Sequence, residues 1–248
     1  MPDSRKHRGP HPQDERDFAP RAIPALNRAV GDLCWLLSRG YSSHAACKLV
    51  GDHFQLTARQ RLAVLRCSCS HADRRDRQRR QVAQQRLSGH ELDVDGFNVL
   101  TTVEAALAGG FLLLARDGCL RDMASVHGSF RCVQETAAAI ECVGCVLAER
   151  KPAAVRWLLD RPVSNSGRLA ARLREMAAHH DWPWQVELAD DVDGRLAQSP
   201  RVIATADGPI LTRCARWYNL AYEVVYQQVP SARVLRLTGK GNGNGVRS

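Results

Sequence analysis

Residues 90–100 read HELDVDGFNVL, and the fold turns on the carboxylate of Asp95. Leu92–Val94 reads as a short buried strand that runs straight into Asp95, Gly96 and Asn98. A carboxylate there is costly to desolvate unless a cation or hydrogen-bond donors meet it. Gly96 permits close backbone approach, and Asn98 can fix the carboxylate.

Downstream, the same ending recurs. VRWLLD closes on Asp160 and VIATAD on Asp207, each acid directly after an apolar run. The intervening segments have helical texture: about 133–150, 166–180, a short one near 193–197, and about 208–218. Strands are expected at 154–159, 184–188, 201–205 and finally 222–226, with 111–131 as a hairpin insertion turning at Asp117-Gly118. TTVEAALAG (101–109) reads as a helical turn. Alternating strands and helices predict an α/β fold, a mainly parallel sheet sandwiched by helices, whose carboxyl edge binds ligands. Three strands would then aim Asp95, Asp160 and Asp207 at one place.

Converging carboxylates repel, so their pKa values rise or a cation neutralises them. A hard divalent ion, Mg²⁺ or Mn²⁺, takes oxygen ligands and can activate water for attack on a phosphodiester. Asp190, Asp191 and Asp193 follow another strand, and one at the start of a helix could be a fourth acid. Taken singly, each such Asp reads better as a helix N-cap or loop residue.

Upstream, Leu26, Val30, Leu33 and Leu37 mark one helix face, with Gly40 at its stop. Ser42 or Ser43 can cap a second helix through Val50, and Thr57 with Gln60 has capping-box spacing for a third. A small all-α domain over 23–70 is expected to precede the sheet. Arg59, Arg61 and Arg66 would suit a helix-turn-helix, but nothing specifies base contacts, which favours a plain bundle with a basic face. Residues 71–90 read as an exposed arginine-rich linker helix able to contact phosphates by charge. Residues 1–22 and the tail GKGNGNGVRS (239–248) carry too little apolar content for a fold, and 231–248 as a whole is expected to be mostly disordered, leaving the α/β domain at 91–230.

The net charge of +9, from 35 Lys and Arg against 26 Asp and Glu, leans toward an anionic partner. No run of about 18 apolar residues or signal-like core occurs, so a cytoplasmic chain with no membrane partner is expected. Nine cysteines in a chain this long read as reduced thiols rather than a disulfide framework. Cys142 and Cys145 have zinc-like spacing inside a helix, but neither they nor Cys67 and Cys69 have a partner pair nearby, and His179-His180 suits a helix end.

VDGFNVL (94–100) resembles the first-strand signature of PIN-type nucleases of the NYN branch, where the Asp binds the first metal ion. LLDRPVSNSG, DDVDGRLA and VIATADGPI follow in that branch's order. The chain from about Ala25 to Gln227 also resembles an uncharacterised bacterial and archaeal family, domain of unknown function 434, with its C-terminal partner domain; DLCWLLSRGYSSHAACKLVGDHFQLTARQR (32–61) carries that likeness.

The resemblance implies a PIN-like fold and a metal-dependent nuclease acting on nucleic acid, RNA rather than DNA. Asp95 would be the primary ligand, with Asp160, Asp193 and Asp207 completing the catalytic acids and Asn98 and Thr205 supporting them. Glu104, on the next helix, is a further candidate ligand. Arg121, His127 and Arg131, with Ser164 and Ser166 at a helix start, are candidates for holding substrate phosphates. Ala206 departs from the signature's hydroxyl, Gly208-Pro209 replaces a polar helix start, and the 111–131 insertion lies outside a minimal PIN domain. Two other classes stand beside this reading: a non-catalytic nucleic-acid-binding protein with a degenerate site, and a small-molecule phosphate or nucleotide enzyme.

Overall fold

The computed structural model describes residues 8–123 and 130–239. The order of elements is α1 (Asp14–Asp17), α2 (Ile23–Leu37), α3 (Ser43–His53), α4 (Ala58–Cys67), α5 (His71–Arg80), β1 (Glu91–Asp95), α6 (Gly96–Leu107), β2 (Phe111–Leu114) and β3 (Leu120–Arg121). It continues with α7 (Thr136–Arg150), β4 (Ala154–Asp160), α8 (Ser166–His179), β5 (Trp184–Ala189), α9 (Val192–Gln198), β6 (Val202–Ala204), α10 (Gly208–Arg213), β7 (Arg216–Tyr218), α11 (Leu220–Gln228) and β8 (Arg233–Arg236). Among the described residues no helix is long and apolar enough to cross a membrane.

Five strands, β5-β4-β1-β6-β7, form one parallel sheet. Side chains alternate between its faces. Leu92, Val94, Val155, Trp157, Val202 and Ala204 join the core under α6, α7, α8 and α11. Leu158, Ile203 and Trp217 face the opposite way, under α9 and α10. From β1 the chain moves to β4 and β5 on one side, then returns to β6 and β7 on the other. The switch point therefore lies between β1 and β6, where a crevice opens at the carboxyl ends.

Beside this sheet stands a small one, β3-β2-β8, apolar on both faces. Leu112, Leu114 and Val234 pack toward the α/β core, while Phe111, Leu113 and Leu235 pack toward α2, α3 and α4. That double burial explains why FLLL reads as an unbroken apolar run. Leu26, Val30 and Leu33 are fully buried as their spacing predicts, each worth about 1.5–3 kcal/mol. Ser42 caps α3 and Thr57 with Gln60 forms the capping box of α4.

The C-terminal third differs from expectation. The helix expected over 208–218 ends at Arg213, and Arg216–Tyr218 is a strand because Trp217 and Tyr218 bury on opposite faces. The strand expected at 222–226 is helix α11, with Leu220, Ala221, Val224 and Val225 on its buried stripe. A five-residue apolar window does not separate period 2 from period 3.6.

Residues 1–22, expected to lack a fold, and 231–248, expected to be mostly disordered, both contain ordered structure. In α1, Asp14 is buried against Arg59, and Arg8 Nη1 lies 2.6 Å from Glu104 Oε2. β8 pairs in parallel with β2. Residues 1–7 and 240–248 lie outside the described residues. The arginine run is also not a purely solvated helix, since Arg77 is buried.

Arg77 Nη1 donates to Asp117 Oδ2 at 2.6 Å and Arg77 Nη2 donates to the Gly208 carbonyl and Thr212 Oγ1. Arg121 grips the same carboxylate with two bonds, at 2.9 and 2.7 Å, and donates to the carbonyls of Ala206 and Arg66. Gly118, at φ +85°, closes the turn that presents Asp117. Burial opposes the charge on Asp117, but Arg121 and Arg77 outweigh it and hold the carboxyl well below its usual range. Asp117→Asn leaves two buried guanidinium groups underpaired and is expected to cost about 3–5 kcal/mol. Urea unfolding at neutral pH checks this; a loss under about 1 kcal/mol would show the cluster to be dispensable.

Candidate active site

β4, β1 and β6 are adjacent in the sheet, so their ends lie about 4.8 Å apart in sequence along its edge. Asp95 ends β1, Asp160 ends β4, and Asp207 follows β6 at the start of α10. All three line one open cavity of about 780 Å³ together with Asn98, Arg121 and Asp122.

Asp95 and Asp207 each cap the helix that follows. Asp95 Oδ1 accepts from the Asn98 backbone N–H and Asp207 Oδ1 from that of Ile210. Thr205 Oγ1 donates to Asp95 Oδ2 at 2.7 Å, and the Asn98 side chain accepts from the Ala206 backbone N–H. Asn98 thus holds the β6–α10 loop, while its backbone holds the carboxylate. Gly96 is required by crowding: a Cβ there would fall 2.4 Å from Leu159 Cδ2 and 3.1 Å from the Leu158 carbonyl.

Asp95 is only 7% exposed. Burial first, then the charges of Asp207 and Asp160, push its carboxyl up to about 7 against the opposing hydrogen bonds. Asp160 is raised by burial, then by Asp193 and Asp191; Asp193 is raised by burial, then by Asp207 and Asp191. The four predicted acids therefore form an electrostatic ring, with Asp193 in the first turn of α9. The donor set is all hard oxygen and fits a divalent cation in kind. Among the described residues no three His, Cys, Asp or Glu side chains are gathered closely enough to grip an ion as they stand.

Other predicted residues have different surroundings. Glu104 does not line the cavity; it is fully buried, beside Arg8, and accepts from Thr136 Oγ1. Arg121 reaches the cavity wall, but its guanidinium is bonded to Asp117, Ala206 and Arg66, so it is a structural tie rather than a free phosphate fork. Ser166 is buried and donates to the Arg161 carbonyl; Ser164 and Arg131 are exposed and do not line the cavity. His127 lies outside the described residues. Cys142 and Cys145 sit on α7, and all nine cysteines are unbridged.

One buried acid escaped the sequence reading, and another, Asp122, is read there only as a member of the 116–131 cluster of charged residues. Asp93 is fully buried, held by two bonds from Arg156 and one from Ser199. Its signal is the alternation of Glu91, Asp93 and Asp95, which puts three acids on one strand face. Asp122, also buried, faces Thr101 and Thr102 and is reached by Arg66. The sequence sets it beside Arg121 and Arg131 but does not show its partners Thr101 and Thr102.

Residues 84–223 match the family described as Domain of unknown function (DUF5616), and residues 25–80 match Protein of unknown function (DUF434). An uncharacterised protein of Methanocaldococcus jannaschii is 29% identical over 187 residues, covering 75% of this chain and 89% of that protein. No solved structure matches the chain. The cavity joins the two matched segments, since Arg66, Ser70 and Arg77 form the wall that faces Asp95, Asp160 and Asp207.

The raised carboxyl of Asp95 has a measurable sign. Because it lies above the unfolded value of 3.8, its contribution to stability is complete below that pH and is lost as pH climbs to about 7. In EDTA the thermal midpoint should decline across this window. Asp95→Asn keeps a good N-cap and should decline less steeply, with a higher midpoint at pH 7. An unchanged slope would show that Asp95 ionises as an ordinary carboxylate.

Proposed function

The chain belongs to the DUF5616 family, and on that premise we propose that it is a metal-dependent phosphodiesterase of PIN-like type, hydrolysing nucleic acid, RNA in preference to DNA. One observation carries the proposal: Asp95 and Asp160 end two adjacent parallel strands and Asp207 follows the third, all on the switch-point crevice, where, after burial, the charges of Asp207 and Asp160 raise the proton affinity of Asp95 and that of Asp193 raises Asp160's.

Asp95, Asp160 and Asp207 would hold Mg²⁺ or Mn²⁺, with Asp193 close enough to accept a share of the charge. Bound there, the ion would supply charge neutralisation and an activated water for in-line attack. The rest falls to the protein. Thr205 orients Asp95, and Asn98 fixes the loop that carries Asp207. Asp95, its carboxyl pushed up to about 7, can also exchange protons near neutral pH, a property suited to general acid–base work. Support from the sequence is the VDGFN signature and the order of the later acids.

Labelled single-stranded and structured RNA and DNA, incubated with Mn²⁺, Mg²⁺ or EDTA, test the proposal. Metal-dependent cleavage should occur in wild type and fall to the EDTA level in the folded Asp95→Asn, Asp207→Asn double variant. Thr205→Val removes an orienting hydrogen bond and should lower turnover by about 10–100-fold. Cleavage that survives in the double variant or in EDTA overturns the assignment. Intact binding without cleavage by wild type would move the function to a nucleic-acid-binding module.

A further inference from the structure

Acids neutralise arginines across much of this chain: Arg59 meets Asp14, Arg77 and Arg121 meet Asp117, and Arg156 meets Asp93. Around His71, at the start of α5, the arrangement is different. Arg116 Nη2 lies 3.1 Å from His71 Nδ1, and the charges of Arg116, then Arg75, Arg74 and Arg39, all bear on the imidazole. Among the described residues none of these four guanidinium groups is ion-paired with a carboxylate. The Nε–H groups of Arg74 and Arg116 are buried without an acceptor.

Three elements build the cluster, so its geometry is held rather than incidental. Arg39 follows α2, Arg74 and Arg75 lie in the first turn and a half of α5, and Arg116 is in the turn after β2. The His71 backbone N–H donates to Ser38 Oγ at 2.9 Å and the Arg116 backbone N–H to the Cys67 carbonyl at 3.0 Å, tying these elements together. The positive end of α5, capped by Ser70, adds to the field. Arg39 also lies 3.5 Å over the ring of Trp35, which is 50% exposed. Gathered like charges repel, and guanidinium groups without a carboxylate partner match phosphate oxygens.

We propose that this cluster is a phosphate-binding site for the backbone of single-stranded nucleic acid, with the Trp35–Arg39 stack as a platform for an unpaired base. Single strands fit because charge from three elements exceeds what one phosphate needs, and because a duplex hides the base faces that an exposed aromatic ring would take. His71 adjoins Ser70, which lines the acidic cavity, so a strand held at the cluster passes the cavity rim. That last step rests on the nuclease reading; the binding site itself does not.

Fluorescence anisotropy of a labelled oligouridylate, across a salt series in EDTA, tests the site in the full chain. The probe variants are Arg74→Gln with Arg116→Gln, Arg75→Gln with Arg39→Gln, and Trp35→Leu, each checked for an unchanged thermal midpoint. The second pair keeps the test open should the first not fold. Each pair should weaken binding about tenfold and lower the slope of log affinity against log salt by about 1 per lost contact. Trp35→Leu should weaken binding with the slope unchanged. Hydrolysis of a small chromogenic phosphodiester with Mn²⁺ should be the same in all of them.

Wild-type affinity in both arginine pairs overturns the site, as does equal affinity for polyglutamate or for duplex of the same length. The two proposals fail separately. Cluster-dependent binding without any metal-dependent hydrolysis leaves this site standing and removes the nuclease, while hydrolysis with cluster-independent binding does the reverse.

Discussion

The carboxylate of Asp117, buried between Arg77 and Arg121, is the interaction on which the arrangement of this molecule depends. Each guanidinium also donates to backbone carbonyls on other elements: Arg77 to Gly208, Arg121 to Ala206 and Arg66. The cluster therefore joins α4, α5, the β2–β3 turn and the β6–α10 loop at one point. Desolvating three charges is expensive, and the dense hydrogen bonding is what offsets it. Both walls of the acidic cavity are attached to this cluster, so the distance between the walls is set by ion pairs rather than by apolar packing alone.

Within the cavity, structural and functional readings of the same acids coexist. A helix cap uses one lone pair of a carboxylate that has about four acceptor positions. Asp95 and Asp207 can thus stop the free N–H groups of α6 and α10 and still face the crevice. Short connections make this possible, because α6 begins at the residue after β1 ends. The cap also restrains each carboxylate's orientation, which is the condition an ion site needs from its ligands.

Much of the edge was legible because it is local. VDG, LLD and ATAD each combine an apolar strand with an acid within a few residues, and a parallel sheet does the rest. What escaped depends on distant partners. Arg77 looks like any other arginine of a solvated run until Asp117, 40 residues on, is brought to it. The run YEVVY is too short to reveal its period, and only packing against α6 and α7 selects the helix. Asp122 is visible as one of a local group of charges, but its threonine partners are not, while Asp93 could have been read from the alternation in β1.

β8 has a consequence for the timing of assembly. Leu235 and Leu237 belong to the core that the N-terminal helices share with β2. Thr238 donates its backbone N–H to the side chain of Asn27, and Arg233 pairs with Glu15. During synthesis, α2 to α4 emerge first, yet their apolar face is not closed until residues some 200 positions later have left the ribosome. The last strand to be synthesised is therefore the one that closes the face laid down first, so the chain's most distant contacts complete its core.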